Sequence, residues 1–148
     1  MEEFKIDIFK HENPGATFPE FRTLSEAECR NLSRRISASV GSPSSSGLQL
    51  VLEVARRAPV HLGRVPASET LDIRKVLETH GFACAETVYV NWYRFDVIDA
   101  IAEVDLSTHF ADIWYPGPDD IDVFDDSFRW IITVVHDGEV RLVKCSGA

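Results

Sequence analysis

Phe128-Arg129-Trp130-Ile131-Ile132-Thr133-Val134-Val135-His136-Asp137-Gly138-Glu139-Val140-Arg141-Leu142-Val143-Lys144-Cys145 is the stretch that decides the fold. Its first half, Phe128 to His136, is rich in β-branched and aromatic residues, which suit a pleated, packed surface. Asp137-Gly138 is a favoured two-residue hairpin turn, and Glu139 to Cys145 supplies the returning strand. Upstream, Ile121-Asp122-Val123-Phe124 alternates as a strand and Asp125-Asp126-Ser127 turns the chain. Thr87 to Tyr93 has strand composition. Between these segments, Trp114-Tyr115-Pro116-Gly117-Pro118-Asp119-Asp120 reads as a turn because two prolines and a glycine exclude regular structure. Phe95 to Phe110 is ambiguous, with a turn expected near Asp96 and a short helix around Leu106 to Ile113.

The first half reads mostly as helix. Phe4 to Phe9 alternates apolar and polar residues and is expected as a half-buried strand, followed by a loop from His11 to Pro19. Ser25 and Glu28 form a capping-box signature, and Leu24 is placed to staple onto Cys29. Cys29, Leu32, Ile36 and Val40 then recur at helical spacing. Gly41 to Gly47 reads as a short flexible connector. Leu48 to Arg57 fits either a buried helix or a strand, with helix preferred. Pro59 to Pro66 reads as loop. A further helix is expected from Ser68 to His80, with Gly81 as its stop. Helices leading and adjacent strands following imply an α+β fold: an antiparallel sheet with a C-terminal hairpin, and the helices of the N-terminal half packed on one face.

A chain of 148 residues is expected to form a single domain, 1–148, with enough core to fold without staples. Cys29, Cys84 and Cys145 are odd in number and widely spaced, which suits buried, reduced thiols. Met1-Glu-Glu-Phe-Lys is acidic and lacks an apolar h-region, and no apolar run approaches a membrane span. A cytoplasmic location without a membrane partner is the expectation.

Charge is distributed unevenly. From Asp96 to Asp126 the chain carries ten carboxylates and no Lys or Arg, whereas the whole protein has a net charge of −9. The body outside that segment is therefore close to neutral. A concentrated negative field attracts basic protein surfaces or metal ions and repels nucleic acid.

Within the acidic segment, Asp119, Asp120, Asp122, Asp125 and Asp126 are the densest cluster. Clustered carboxylates suit hard cations, but no EF-hand pattern is present, and a solvated loop or a charged contact surface are the other readings. Trp92-Tyr93, Trp114-Tyr115 and Phe128 to Trp130 interleave aromatic residues with these acids, the composition of interface hot spots. Trp130, inside the best strand, is expected in the core, whereas Trp114 and Tyr115 are the better candidates for exposure. None of His11, His61, His80, His109 and His136 has metal-ligand spacing. No GxSxG, dinucleotide or phosphate-loop motif occurs, and Arg34-Arg35 and Arg56-Arg57 are isolated pairs. No catalytic residue, resident metal or cofactor is assigned.

Phe110 to Ile131 resembles the core of a group of small bacterial proteins of uncharacterised function, with the pattern WYP-x-x-DD-I-x-I-F-D-x-S-x-x-W followed by His-x-Gly. The matching positions are Trp114, Tyr115, Pro116, Asp119, Asp120, Phe124, Asp125, Ser127, Trp130, His136 and Gly138, and Asn91-Trp92 with Phe95-Asp96 extends the pattern. The resemblance carries no activity. Similarity to small acidic α+β bacterial proteins points towards immunity proteins of secreted toxins.

Binding is thus favoured over catalysis. The leading expectation is an acidic cytoplasmic protein that neutralises a basic, nuclease-type toxin. Asp119, Asp120, Asp122, Asp125 and Asp126 would supply the charge on one outward face, and Trp114 and Tyr115 the anchors. The alternatives are a metal-dependent hydrolase built on Asp119, Asp120 and Asp122 with His136 as base, and a structural domain with a solvated acidic face. A homo-oligomer remains open.

Overall fold

The computed structural model describes residues 1–57, 59–65 and 70–146. Along the chain run α1 (Glu3–Glu12), β1 (Phe21–Thr23), α2 (Glu26–Ser39), α3 (Gly47–Arg56), β2 (Val60–Arg64), α4 (Ile73–Thr79), β3 (Thr87–Asn91), β4 (Ile98–Ala102), α5 (Glu103–Thr108), α6 (Phe110–Ile113), β5 (Ile121–Phe124), β6 (Trp130–Val134) and β7 (Glu139–Lys144). The seven strands described form one sheet in the order β1-β4-β3-β5-β6-β7-β2, and every neighbouring pair is antiparallel. The fold is α+β, with β6 and β7 paired as the C-terminal hairpin.

That hairpin is in the register its sequence implies, with Trp130 opposite Lys144 and Val134 opposite Val140. Val135 N–H donates to Glu139 O and Gly138 N–H to Val135 O, so the turn holds His136, Asp137 and Gly138, three residues rather than two. Gly138 adopts φ 90°, and a Cβ there would lie 2.6 Å from Val65 O; only glycine fits.

Strand alternation divides the core. Val88, Val90, Ile101, Ile121, Val123, Trp130, Ile132 and Val134 face one side, with Phe9 of α1, Ile73 and Leu77 of α4, Leu106 of α5, and Phe110 and Ile113 of α6. Ile98, Phe124, Ile131 and Val143 face the other, with Leu32 and Ile36 of α2 and Leu50 and Val54 of α3. The helices of the N-terminal half are therefore split between the two faces rather than gathered on one. The central strands β3, β5 and β6 are largely buried on both sides, so the sheet needs cover on both.

Several local expectations hold. Ser25 Oγ accepts from Glu28 N–H at 3.3 Å and Glu28 Oε2 accepts from Ser25 N–H at 2.8 Å, closing the capping box of α2. Leu24, Cys29, Leu32, Ile36 and Val40 are all buried together. Residues 48–57 are helical up to Arg56, and Gly81 follows the end of α4.

Other segments differ. Phe4 to Phe9 is helix, not strand: its buried residues are Lys5 and Phe9, one turn apart, while Phe4 and Ile8 are exposed. The alternation misled because a lysine occupies a core position. Pro59 to Pro66, expected as loop, contains the edge strand β2, where Gly63 (φ 102°) sits at a break in register against β7. The expected helix start at Ser68 lies outside the described residues; α4 is capped instead by Asp72, which accepts from Lys75 N–H at 2.9 Å. The ambiguous 95–110 region contains β4, and the short helix breaks into α5 and α6 at His109. Gly41 to Gly47 is folded back by Ser42 N–H to Ser37 O and Ser45 N–H to Ser42 O. Of the cysteines, only Cys29 is fully buried; Cys84 and Cys145 are half-buried.

Candidate functional site

The acidic segment does not become one outward face. Asp99, Glu103, Asp119, Asp122 and Asp125 are buried, Asp105, Asp112 and Asp120 are half-buried, and only Asp96 and Asp126 are exposed. Buried carboxylates need charge partners or donors, and each of the five has them. Asp99 accepts from the Met1 amino group, Thr23 Oγ1 and Trp92 Nε1. Glu103 accepts from Arg74 and from Ser107 Oγ. Asp125 holds the 125–127 turn by accepting from Ser127 N–H and Oγ, and from Ala85 N–H.

The residues expected to bind separate in the same way. Trp114 is 1% exposed, stacked on Phe110, and donates Nε1–H to Asp119 O at 3.0 Å; it is core, not anchor. Tyr115 is half-buried, edge-on to Phe4, and burial with the carboxylates of Asp112, Glu12 and Asp119 nearby holds its phenol above the usual range. Asp119 pairs with Lys5 Nζ at 2.5 Å and accepts from Tyr115 N–H at 2.8 Å. Asp120 accepts from His136 N–H at 2.7 Å, with His136 Nδ1 at 2.9 Å. Asp122 lies on the opposite side of the sheet, under α3, and accepts from Asn91 Nδ2 at 3.0 Å and Thr133 Oγ1 at 2.8 Å. Burial pushes its carboxyl up to about 6 against those two hydrogen bonds, and Asp120 adds to the rise. Asp126 is exposed and accepts from Tyr89 OH. Asp119, Asp120 and Asp122 therefore do not converge as metal ligands, and among the described residues no three His, Cys, Asp or Glu side chains are grouped to hold a metal ion.

What the fold does assemble is a groove of about 470 Å³ beside the start of α1, between the β3–β4 loop and the 114–120 turn. Trp92, Tyr93 and Val97 form its aromatic and apolar wall, and Glu2, Asp119 and Asp120 its acidic one. The loop is held under strain. Tyr93 has φ 103° and Phe95 φ 61°, which side-chain-bearing residues rarely adopt, and buried Asn91 Oδ1 accepts from Phe95 N–H at 2.7 Å to hold the bend. Trp92 is fixed through Nε1 to Asp99 at 2.8 Å and by Lys5 Nζ, 4.2 Å from the ring centroid. Lys5 is wholly buried: its Nζ also donates to Ile113 O at 2.9 Å, and with Asp119 it ties α1 to the 114–120 turn. Phe4, Tyr93 and Val97 remain 44%, 39% and 46% exposed around this end of the molecule.

Sequence reasoning singled out Asp119 and Asp120 but missed Glu2, Lys5 and Val97, and it noted Trp92-Tyr93 without placing them at a site. Lys5 gave no signal, because nothing local distinguishes a buried lysine from a solvated one. Among the described residues no helix is long and apolar enough to cross a membrane. No protein-family model, curated protein or solved structure matches this chain, so any functional reading rests on the groove's own chemistry.

Proposed function

We propose that the protein is an acidic binding protein whose groove receives a basic side chain from a protein partner, and that a nuclease-type toxin, with the protein as its immunity factor, is the partner class. The observation that carries this reading is the pairing of an aromatic wall, the fixed Trp92 and the exposed Tyr93, with the carboxylates of Glu2 and Asp120 in one concavity. A guanidinium or ammonium group gains from both elements: the ring faces attract it and the carboxylates accept its hydrogen bonds. The net charge of −9 adds long-range attraction for a basic partner. Mimicry of a phosphate backbone by Asp119, Asp120, Asp122, Asp125 and Asp126 is no part of this reading, since Asp119, Asp122 and Asp125 are interior.

The test is an NMR titration of the labelled protein with octa-arginine, followed by capture of a basic nuclease toxin on the immobilised protein. Saturable shifts at Trp92, Tyr93 and Asp120 are expected. Binding should weaken about tenfold or more in Glu2→Gln/Asp120→Asn and fall as salt rises. Binding unaffected by that double substitution and by Tyr93→Ala would remove the proposal.

A further inference from the structure

A second concavity lies between α2, the 41–47 connector, the start of α3 and the tip of the β3–β4 loop. It is a cleft of about 870 Å³, and its charge runs against that of the whole molecule. Arg30, Arg34 and Arg94 line it, opposed by Glu26 and Asp96. Arg30 is paired with Glu26 at 3.5 Å. Arg34 and Arg94 have no carboxylate within ion-pair distance among the described residues, and the Arg94 guanidinium lies 5.4 Å from the Tyr93 ring.

The start of α3 opens on the same cleft. Ser46 makes no side-chain cap and the first turn contains no acid. Leu50 N–H is the first to bond back, to Ser46 O at 3.3 Å, so the amides of Gly47, Leu48 and Gln49 precede the helix's own ladder. Gly47 has φ 53°, with open space where a Cβ would stand.

Two serines supply the independent sign of a ligand. Ser33 and Ser45 line the cleft at 9% and 8% exposure, and neither hydroxyl has a hydrogen-bond partner among the described residues. Ser37 and Ser39, on the same helix as Ser33, donate to Arg34 O and Ile36 O, as buried hydroxyls ordinarily do. Ser33 and Ser45 line the cleft without a protein partner for their hydroxyls and are not among the sealed-off polar atoms, so each hydroxyl opens on the cleft and can meet what enters it.

We propose that this cleft binds the phosphate group of a small phosphate monoester. Arg34 and Arg94 supply charge-assisted donors, the start of α3 supplies amides and a positive dipole end, and Ser33 and Ser45 supply hydroxyls. Two guanidinium groups, two hydroxyls and a helix start offer more donors than a carboxylate can accept, and a phosphate dianion matches them better. Leu48 and Phe95 provide apolar wall for the organic part. Glu26 and Asp96, which also line the cleft, disfavour a second anionic group, which favours a monoester over a nucleic-acid strand. This site does not rest on the groove beside α1.

The experiment is an NMR titration of the labelled protein with glycerol 3-phosphate at constant ionic strength, with glycerol as control. Saturable amide shifts are expected at Ser33, Ser45, Leu48 and Gln49 with the phosphate compound only. Arg34→Gln/Arg94→Gln should weaken binding by about tenfold or more, and Ser33→Ala/Ser45→Ala by about threefold. Both pairs lie in the cleft wall outside the core clusters, and unchanged spectra without ligand will show that the fold is retained. No saturable shift, equal response to glycerol, or wild-type affinity in the arginine variant would each overturn the proposal.

Discussion

Asp119 and Asp122 are three residues apart, both 6% exposed, and on opposite sides of the sheet. On the α1 side Asp119 meets a cation, Lys5, together with a backbone amide. On the α2–α3 side Asp122 meets an amide and a hydroxyl, beside a cavity of about 190 Å³ lined by Val51, Val54 and Val143. The pair shows that burial of a carboxylate has two solutions. One keeps the charge and neutralises it with a partner from elsewhere in the chain; the other surrounds it with neutral donors and lets its proton affinity rise.

The largest effect should come from breaking the first solution. Lys5→Met leaves Asp119 buried without its cation, and urea unfolding at pH 7 should show a loss of about 3–5 kcal/mol. Lys5→Met/Asp119→Asn should recover part of that loss; no recovery would mean that Lys5 acts by packing alone.

The second solution gives a pH signature. The Asp122 carboxyl stands at about 6 in the folded protein, above its ordinary value of 3.8, so the native state holds this proton more tightly than the unfolded chain. Its contribution to stability is fully present below about pH 4 and is lost as pH rises through about 6. Asp122→Asn should therefore leave stability unchanged near pH 4 and raise it by about 3 kcal/mol above pH 7. An equal effect at both pH values would show that hydrogen bonding, rather than ionisation, distinguishes the site.

Smaller changes sharpen the contrast between the two faces. Ser25→Ala opens the capping box of α2, which covers the Asp122 side, and should cost about 1 kcal/mol in thermal or urea unfolding. Asp126→Asn touches only an exposed contact with Tyr89 OH and should shift stability by less than about 0.5 kcal/mol. A larger loss would mark the 125–127 turn as more tightly coupled to β3 than its exposure implies.

The candidate sites were legible only in part. Asp120 and the Trp92-Tyr93 pair are visible as acid and aromatic neighbours, but Trp114 reads as an exposed anchor because prolines follow it. The stack on Phe110 and the bond to Asp119 O that bury it are not encoded in a turn signal. The serines of the 41–47 connector read as flexible filler. Their meaning depends on Arg94, which is brought to the same cleft by the β3–β4 loop.

By itself the sequence determined the antiparallel hairpin, the capped second helix and the α+β class. Each follows from interactions among residues close in the chain: turn chemistry at Asp137-Gly138, the Ser25–Glu28 box, and side chains alternating across a strand. Only the tertiary structure decided which acids face inward, that Lys5 is interior, and that helices cover both faces. Lys5 and Asp119 are 114 positions apart, and the burial of a charge is set by the partner that folding delivers, not by its neighbours in sequence.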